Sequence, residues 1–258
     1  MSRDRIALLE ALCHLYPDYT REKLRAFIVC GNVQVDGARI VDDRAVVAVS
    51  SVLSLDFPRY VSRGGYKLEK ALDDFECDVT GLIMLDAGSS TGGFTDCLLQ
   101  RGAALVHSVD VGYNQLDWKL RTDARVQVHE KQNIMTLEGL EPQPHGAVCD
   151  LSFRSIAGAA SHILSLTRDK WLIALIKPQF ETPKGLPGFT GVVEEQEVLR
   201  EVLSRVHAIL TADHVGIHKV VKSPLEGRKG GNTEFLVYVT PEAGMDSHTW
   251  LEQAFSDR

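Results

Sequence analysis

From Ser62 onward, short apolar runs alternate with amphipathic segments along the chain. Apolar side chains at helical spacing cover 62–75, and strand-like runs follow at 82–86, 104–110, 125–128, 146–150 and 171–177. Strands that alternate with helices predict βαβ units, a parallel sheet and right-handed crossovers. The pattern therefore predicts an α/β fold for this part of the chain.

The pattern changes towards the end of the chain. A long amphipathic helix is predicted over 193–210, and two further apolar runs, 214–221 and 234–239, are joined by a loop rich in glycine and positive charge. Two neighbouring runs joined in this way predict a hairpin, which reverses the last strand. Such an ending is unlike that of a dinucleotide dehydrogenase. It resembles a class I methyltransferase, a Rossmann-like sheet with one reversed edge strand.

Residues 1–56 follow a different pattern and predict a small α+β domain. A first helix is expected from Ile6 to Leu15, and Thr20 is placed to cap a second helix. Asp36-Gly37 stands between two short strand-like runs and predicts a hairpin. After this domain we expect a linker at 57–61, a large domain over 62–243 and a C-terminal tail over 244–258.

Helix, helix and hairpin in this order resemble the small RNA-binding module first seen in ribosomal protein S-four. The segment TREKLRAFIVCGNVQVDGARI carries most of the resemblance, which implies RNA binding through Arg21, Lys23 and Arg25 on the second helix. Residues 1–56 hold 7 lysines and arginines against 8 acids, a net charge of −1. RNA affinity would therefore rest on one helix face, and a merely solvated charged face is the alternative.

Composition indicates whether and how the protein contacts nucleic acid, metals and membranes. The chain has 258 residues, of which 44% are hydrophobic, and a formal net charge of −7, so contacts with nucleic acid must come from local basic patches. Five cysteines without C-x-x-C spacing indicate reduced thiols, and we expect no metal. The N-terminus has no signal-peptide segment, and the longest apolar run has six residues. We expect a soluble, cytoplasmic monomer without membrane contact.

The segment LDAGSSTGGFTD, residues 85–96, joins an apolar run to an amphipathic segment through a glycine-rich turn. Such a turn lets a ligand approach the backbone closely. Asp110 stands 24 residues after Asp86, near the offset at which an acid reaches a bound ribose in Rossmann-like folds. Together the two acids suggest a nucleoside cofactor.

The same loop is also a literal G-x-S-x-G, the nucleophile elbow of α/β-hydrolases, with Ser90 as the nucleophile. In the hydrolase fold several strands precede this elbow, whereas here the loop follows what looks like the first strand of its domain. This position argues against the hydrolase. A purely structural glycine turn is the other alternative.

Four charged residues stand at or near strand ends, where ligands bind in open α/β sheets. Asp150 ends the fourth run, Lys177 ends the fifth, and Glu234 begins the last; Lys67 lies in the helix before the first run. A charge directly after an apolar strand is costly unless it is paired or functional. For each residue taken alone, a surface salt bridge is the alternative.

The motifs that follow one another from about residue 59 to 240 resemble the TlyA family of ribosomal RNA 2′-O-ribose methyltransferases, often named haemolysins, and the wider FtsJ-type methyltransferases. These motifs are SRGGYKLEKAL, LDAGSSTGGFTD, SVDVGYNQLDWKLR, DLSF, IKPQFE and SPLEGRKGGNTEF. The resemblance implies methyl transfer from S-adenosylmethionine to a ribose 2′-hydroxyl of ribosomal RNA, in ribosomal subunits, with cytidine as the expected nucleotide. It also implies a Lys-Asp-Lys-Glu catalytic tetrad formed by Lys67, Asp150, Lys177 and Glu234.

The chemistry explains these residue types. A ribose 2′-hydroxyl is a weak acid, and it must lose its proton at about the time it attacks the methyl group of a sulfonium. A lysine accepts that proton only in its neutral form. Burial and a neighbouring cation favour the neutral form, and neighbouring carboxylates oppose it. We expect Lys177 to lie closest to the 2′-hydroxyl with Asp150 beside it, and Lys67 and Glu234 to position the nucleotide.

Further contacts are expected from the fold and the resemblance. Residues expected to contact the cofactor are Asp86, Gly88, Ser89, Ser90, Thr91, Gly92, Asp110 and Asn133. Residues expected to contact RNA are Arg21, Lys23, Arg25, Arg59, Arg63, Tyr66, Arg228 and Lys229. Two other functions stay open: a non-catalytic RNA-binding or ribosome assembly factor that keeps the fold, and a haemolysin in the literal sense.

Overall fold

The structure, a computed structural model, describes residues 4–152, 155–182, 191–193, 195–225 and 231–256. The chain divides into two compact units, Met1–Arg59 and Tyr60–Arg258. The division falls inside the segment expected to be a linker, 57–61. The RNA-binding role of the first unit stays a prediction.

From residue 4 onward, where the structure describes it, the first unit contains two helices and two small antiparallel sheets. Its elements are β1 (Arg5–Ala7), α1 (Leu8–Leu15), α2 (Arg21–Val29), β2 (Val33–Val35), β3 (Ala38–Ile40), β4 (Val46–Ala48) and β5 (Leu53–Leu55). Strand β1 pairs with β4, and β2 lies between β3 and β5. Thr20 caps α2 as expected, since its hydroxyl accepts a hydrogen bond of 3.3 Å from the Lys23 amide.

The first helix starts later than the sequence pattern predicts. Ile6 was expected on this helix, but it lies on β1, opposite Val47 of β4. The helix begins two residues later, at Leu8, and still buries Leu8, Leu9 and Leu12. A pairing with a distant strand therefore decides the backbone of Ile6, and helical periodicity does not contain that information.

The second unit is built around a seven-stranded sheet. Its elements are α3 (Gly64–Asp74), β6 (Ile83–Ala87), α4 (Gly93–Gln100), β7 (Leu105–Val109), α5 (Trp118–Arg121), β8 (Val126–His129), a 3₁₀ helix (Ile134–Thr136), β9 (Gly146–Cys149), α6 (Ala160–Leu166), β10 (Leu172–Ile176), α7 (Pro178–Glu181), α8 (Gln196–Ala212), β11 (Gly216–Lys222), β12 (Phe235–Thr240) and α9 (Ser247–Ala254).

The strand order is β11-β12-β10-β9-β6-β7-β8. All neighbouring pairs are parallel except those of β12, which runs antiparallel to both β10 and β11. The predicted Rossmann-like sheet with a reversed last strand is thus confirmed. The reversed strand does not lie at the edge, however, because β11 pairs with its outer side.

Both faces of this sheet are buried. Successive residues of one strand enter different apolar clusters: Leu85 packs on one face, and Met84 packs on the other. Parallel strands covered on both faces read as nearly continuous apolar runs, which is why the sequence pattern located them well. In the described part of the chain, no helix is long and apolar enough to cross a membrane.

Candidate active site

Strand pairing brings Asp150, Lys177 and Glu234 to one edge of the sheet. Asp150 and Lys177 directly follow β9 and β10, which are parallel neighbours. Ile176 of β10 pairs with Phe235 of β12, so the register continued by one residue puts Lys177 opposite Glu234. Directly opposed residues of antiparallel strands have Cβ atoms about 5 Å apart. The reversed strand is therefore what places a second carboxylate beside Lys177.

The four charged residues of the expected tetrad form two ion pairs. Lys67 Nζ donates to Glu234 Oε2, and Lys177 Nζ contacts Asp150 Oδ1. The Lys67 and Glu234 side chains are only 10% and 3% exposed, and charges at that depth are tolerated when they are paired. The Asp150 side chain is 26% exposed. The Lys177–Asp150 pair thus lies at the open side of the site.

Two residues that the sequence analysis did not single out also contact Lys177. Its Nζ donates a hydrogen bond of 3.2 Å to Ser152 Oγ, and it lies 5.7 Å from the centre of the Phe180 ring. Ser152 belongs to the DLSF motif and Phe180 to IKPQFE. Their closeness in sequence to Asp150 and Lys177 was the available signal, but only the turns after β9 and β10 decide which side chains face the amine.

The glycine loop between β6 and α4 has left-handed backbone at Gly88 and Gly92, with φ of 88° and 96°. A Cβ at Gly88 would lie 2.7 Å from the carbonyl oxygen of Asp150, and a Cβ at Gly92 would overlap the Leu120 and Leu116 side chains. Packing within the protein thus requires glycine at both positions. The sequence interpretation explained the two glycines by the approach of a ligand alone. The structure adds a second reason, which is close packing within the protein.

Asp110 holds the glycine loop against the end of β7. Its Oδ2 accepts from the Ser90 amide at 2.8 Å, and its Oδ1 accepts from the Gly112 amide at 2.6 Å. Inside the loop, the Gly92 amide donates to the buried Ser89 carbonyl at 2.7 Å, and the Thr91 carbonyl accepts from the Asp117 amide. Because a carboxylate oxygen can accept two hydrogen bonds, Asp110 retains capacity for ribose hydroxyls.

Asp86 lies beneath the loop and is fully buried. Its Oδ2 accepts from Thr95 Oγ1 at 2.6 Å, and Thr95 Oγ1 is also 2.7 Å from Ser108 Oγ. Its Oδ1 has no hydrogen-bond partner among the described residues. Burial raises the pKa of Asp86 to about 7, because it disfavours the charged carboxylate more than the bond from Thr95 favours it.

The last expected cofactor contact, Asn133, and the expected RNA contacts that lie outside α2 differ in their surroundings. Asn133 is exposed and uses its Oδ1 to cap the 3₁₀ helix, accepting from the Met135 amide at 3.1 Å. The half-buried Tyr66 ring packs edge-on against Tyr60, with ring centres 5.1 Å apart. Arg59 and Arg63 are exposed. Arg228 and Lys229 lie outside the described residues.

The three basic side chains on α2 are exposed and have partners within their own unit. Arg21 pairs with Glu10 at 3.4 Å, Arg25 pairs with Asp43 at 2.9 Å, and Lys23 lies 5.4 Å from the Tyr19 ring centre. Exposed pairs of this kind contribute roughly 1 kcal/mol or less. Phosphate groups can therefore replace these partners at little cost.

A sheet with one reversed strand, a glycine loop after its first strand and paired charges at the strand ends together define a class I methyltransferase. Residues 60–240 match the family model described as FtsJ-like methyltransferase, and the chain belongs to this family. The family membership confirms the resemblance stated from the motifs. It also removes the hydrolase interpretation of the G-x-S-x-G loop, in which Ser90 was the nucleophile.

Individual relatives match over most of their length. The chain is 41% identical over 232 residues to a 16S/23S rRNA (cytidine-2′-O)-methyltransferase TlyA of Mycobacterium tuberculosis, covering 85% of this chain and 84% of that protein. It is 36% identical to hemolysin A of Brachyspira hyodysenteriae, covering 85% and 93%. A solved structure named as a hemolysin of Streptococcus thermophilus has a TM-score of 0.70 and 33% identity, covering 97% and 98%.

The cofactor of this methyltransferase is S-adenosylmethionine, as the sequence predicted, and the site has groups that fit it. Helix α4 begins at Gly93 without a side-chain cap on its first amides, and such a terminus suits the carboxylate of the methionine part. Asp110 at the end of β7 suits the ribose. Among the described residues, no group of three or more histidine, cysteine or acidic side chains is placed to hold a metal ion.

Proposed function

We propose that the protein transfers a methyl group from S-adenosylmethionine to a ribose 2′-hydroxyl of ribosomal RNA, with cytidine as the target nucleotide. The observation that carries the proposal is the Lys177–Asp150 pair at the open end of β9 and β10, beside the buried Lys67–Glu234 pair. The activity for which the Mycobacterium tuberculosis relative is named supports the choice of ribosomal RNA and cytidine.

The four charged residues have distinct roles in this proposal. When bound, the cofactor supplies an electrophilic methyl group. Lys177 accepts the proton of the 2′-hydroxyl, and Asp150 holds the Lys177 amine in place through their direct contact. Lys67 and Glu234 neutralise each other at 10% and 3% exposure, and they form the fixed wall against which the nucleotide is positioned.

The residues expected to bind the cofactor are proposed from their place around the loop. The backbone of 88–92 and the first amides of α4 bind the methionine part, and Asp110 accepts from the ribose hydroxyls. Asp86 supports the loop from below through Thr95. Asn133 is proposed to contact the adenine through its amide nitrogen, since its oxygen caps the 3₁₀ helix.

The first unit is proposed to bind structured ribosomal RNA in ribosomal subunits. The support is the exposed basic face of α2, whose Arg21, Lys23 and Arg25 have only weak surface partners. Arg59, Arg63 and Tyr66, together with Arg228 and Lys229 of the glycine-rich loop, are proposed as further RNA contacts. Since the substrate is ribosomal, we propose that the protein acts in the cytoplasm, and that it does so as a monomer.

The test is methyl transfer by Lys177→Ala. Ribosomal subunits from cells that lack this enzyme receive tritiated methyl groups from S-adenosylmethionine, and the 2′-O-methylated nucleotide is mapped on the RNA. We expect the variant to lose at least about 100-fold in rate, because a positioned base contributes about 10² to 10⁴. Cofactor affinity, measured by calorimetry, should stay within about twofold, because the expected cofactor residues lie elsewhere.

The matched control is Lys70→Ala, which removes a half-buried lysine of α3 that pairs with Asp74, and it should keep full activity. Full activity of Lys177→Ala would disprove the role of Lys177. If the wild-type protein binds subunits but transfers no methyl group, it is a non-catalytic RNA-binding factor. Lysis of erythrocytes by the purified protein would instead support the haemolysin.

A further inference from the structure

Ser152 stands out because its hydroxyl contacts the amine that the proposed reaction depends on. Lys177 Nζ donates to Ser152 Oγ at 3.2 Å and contacts Asp150 Oδ1 from the same turn of chain. Ser152 itself is exposed, whereas the Lys177 side chain is only 11% exposed. The turn after β9 thus gives one amine both an ion-pair partner, Asp150, and a hydrogen-bond acceptor, Ser152.

A second contact on the amine has a consequence that the ion pair alone does not. A neutral lysine amine carries two N–H groups and one lone pair. With the ion pair alone, the amine rotates about the Cε–Nζ bond and its lone pair takes several directions. When Ser152 accepts one N–H group while Asp150 contacts the same nitrogen, rotation about the Cε–Nζ bond is restricted and the lone pair is held in a narrow range of directions.

We propose that Ser152 is a positioning residue for methyl transfer, which together with Asp150 orients the Lys177 amine so that its lone pair faces the ribose 2′-hydroxyl. This proposal rests on the proposed function. In the step, the 2′ oxygen gives its proton to Lys177 Nζ and its electron pair to the methyl carbon, while the electron pair of the broken carbon–sulfur bond stays on sulfur. The resulting ammonium keeps its contacts with Asp150 and Ser152 and later loses the proton to water.

The test compares Ser152→Ala with Ser152→Thr. The alanine variant loses the acceptor, whereas threonine retains a hydroxyl on the same carbon. We expect Ser152→Ala to lower the single-turnover rate about tenfold. A positioned base raises the rate about 10²- to 10⁴-fold, and the variant keeps the base but loses part of its orientation. KM for ribosomal subunits and the Kd for S-adenosylmethionine should not change, and Ser152→Thr should recover the rate to within about threefold.

Ser165→Ala is the matched control. Its hydroxyl is also exposed but donates only to a backbone carbonyl, that of His162, at 2.6 Å. We expect this variant to retain the wild-type rate. An unchanged rate in Ser152→Ala, or equal losses in the alanine and threonine variants, would overturn the proposal.

A second measurement does not depend on activity. In protein labelled with ¹³C at lysine Cε and free of cofactor and RNA, the Lys177 signal is assigned through Lys177→Arg. We expect this signal to shift and broaden in Ser152→Ala and to keep its position in Ser165→Ala. An unchanged signal would show that the contact does not hold the amine in solution. If the signal shifts but the wild-type protein transfers no methyl group, the proposed function fails and the contact stands.

Discussion

Asp86 is a single residue whose ionisation should be visible in the stability of the protein. Its pKa is raised to about 7, mainly by burial, against 3.8 for an ordinary aspartate. Between these values the folded protein holds the proton and the unfolded chain does not, so the free energy of unfolding falls as pH rises from about 4 to 7. The loss amounts to about 1.4 kcal/mol per pH unit, and above about pH 7 it is complete.

Asp86→Asn should remove this contribution, because the amide keeps the shape of the carboxyl group but does not ionise. Urea unfolding at pH 5 and pH 8, without cofactor, gives the free energy of unfolding at each pH. The wild type should lose about 3 kcal/mol more between these pH values than the variant loses. Asp74→Asn, which changes an exposed carboxylate of α3, should behave as the wild type does. The same pH dependence in the wild type and in Asp86→Asn would contradict the burial argument.

At the residue scale, the sequence indicated chemistry better than it indicated contacts. Lys177 and Asp150 were predicted from their places after apolar runs and from the family motifs. Ser152 was not, because serine is common in turns and its contact depends on how the chain turns after β9. Gly88 and Gly92 were predicted to make room for a ligand, but their immediate neighbours are the Asp150 backbone and three leucine side chains. A glycine motif indicates that some group lies close to the backbone, but it does not show whether that group is a ligand or another part of the protein.

At the scale of elements, the first turn of α3 packs closely against Tyr60. This contact fixes the position of Lys67, which lies on the same helix. A Cβ on Gly65 would overlap Cβ and ring carbons of Tyr60, which is only 1% exposed. Gly65→Ala should therefore destabilise the protein by about 1–3 kcal/mol, the usual cost of overpacking, although alanine favours a helix more than glycine does. Urea unfolding measures the difference.

Gly139→Ala is the control for this change. A Cβ on Gly139 would meet no atom within 4 Å, so its effect should stay within about 0.5 kcal/mol. Equal stabilities of the two variants would show that α3 shifts freely and that Tyr60 does not hold it. The same variants assayed for methyl transfer would show how far the position of Lys67 depends on this contact.

Element types were predicted more reliably than their pairing. The buried parallel strands were located within one or two residues, because both of their faces are apolar. The start of α1 was misplaced, because Ile6 pairs with a strand some 40 residues away. The reversed strand was expected at the edge, but β11 adds beyond it. Strand pairing depends on partners that are far apart along the chain, and local periodicity contains no information about them.

At the scale of the whole molecule, a chain with a formal net charge of −7 must bind a polyanion through local groups. If the α2 cations contact phosphates, each contact releases counterions, and the logarithm of the affinity falls by about 0.7–0.9 per contact for each tenfold rise in salt. Replacing Arg21, Lys23 and Arg25 together by alanine should reduce that slope by about 2 and weaken binding most at low salt. Filter binding to ribosomal subunits over a salt series measures the slope.

Arg168→Ala is the matched control, because Arg168 is similarly exposed and pairs with Asp169 at 2.9 Å in the second unit. Its slope should equal that of the wild type. An unchanged slope in the triple variant would assign the phosphate contacts to other basic residues. A reduced slope together with an unchanged single-turnover rate at saturating RNA would show that the first unit supplies affinity and that the groups around Lys177 supply the chemistry.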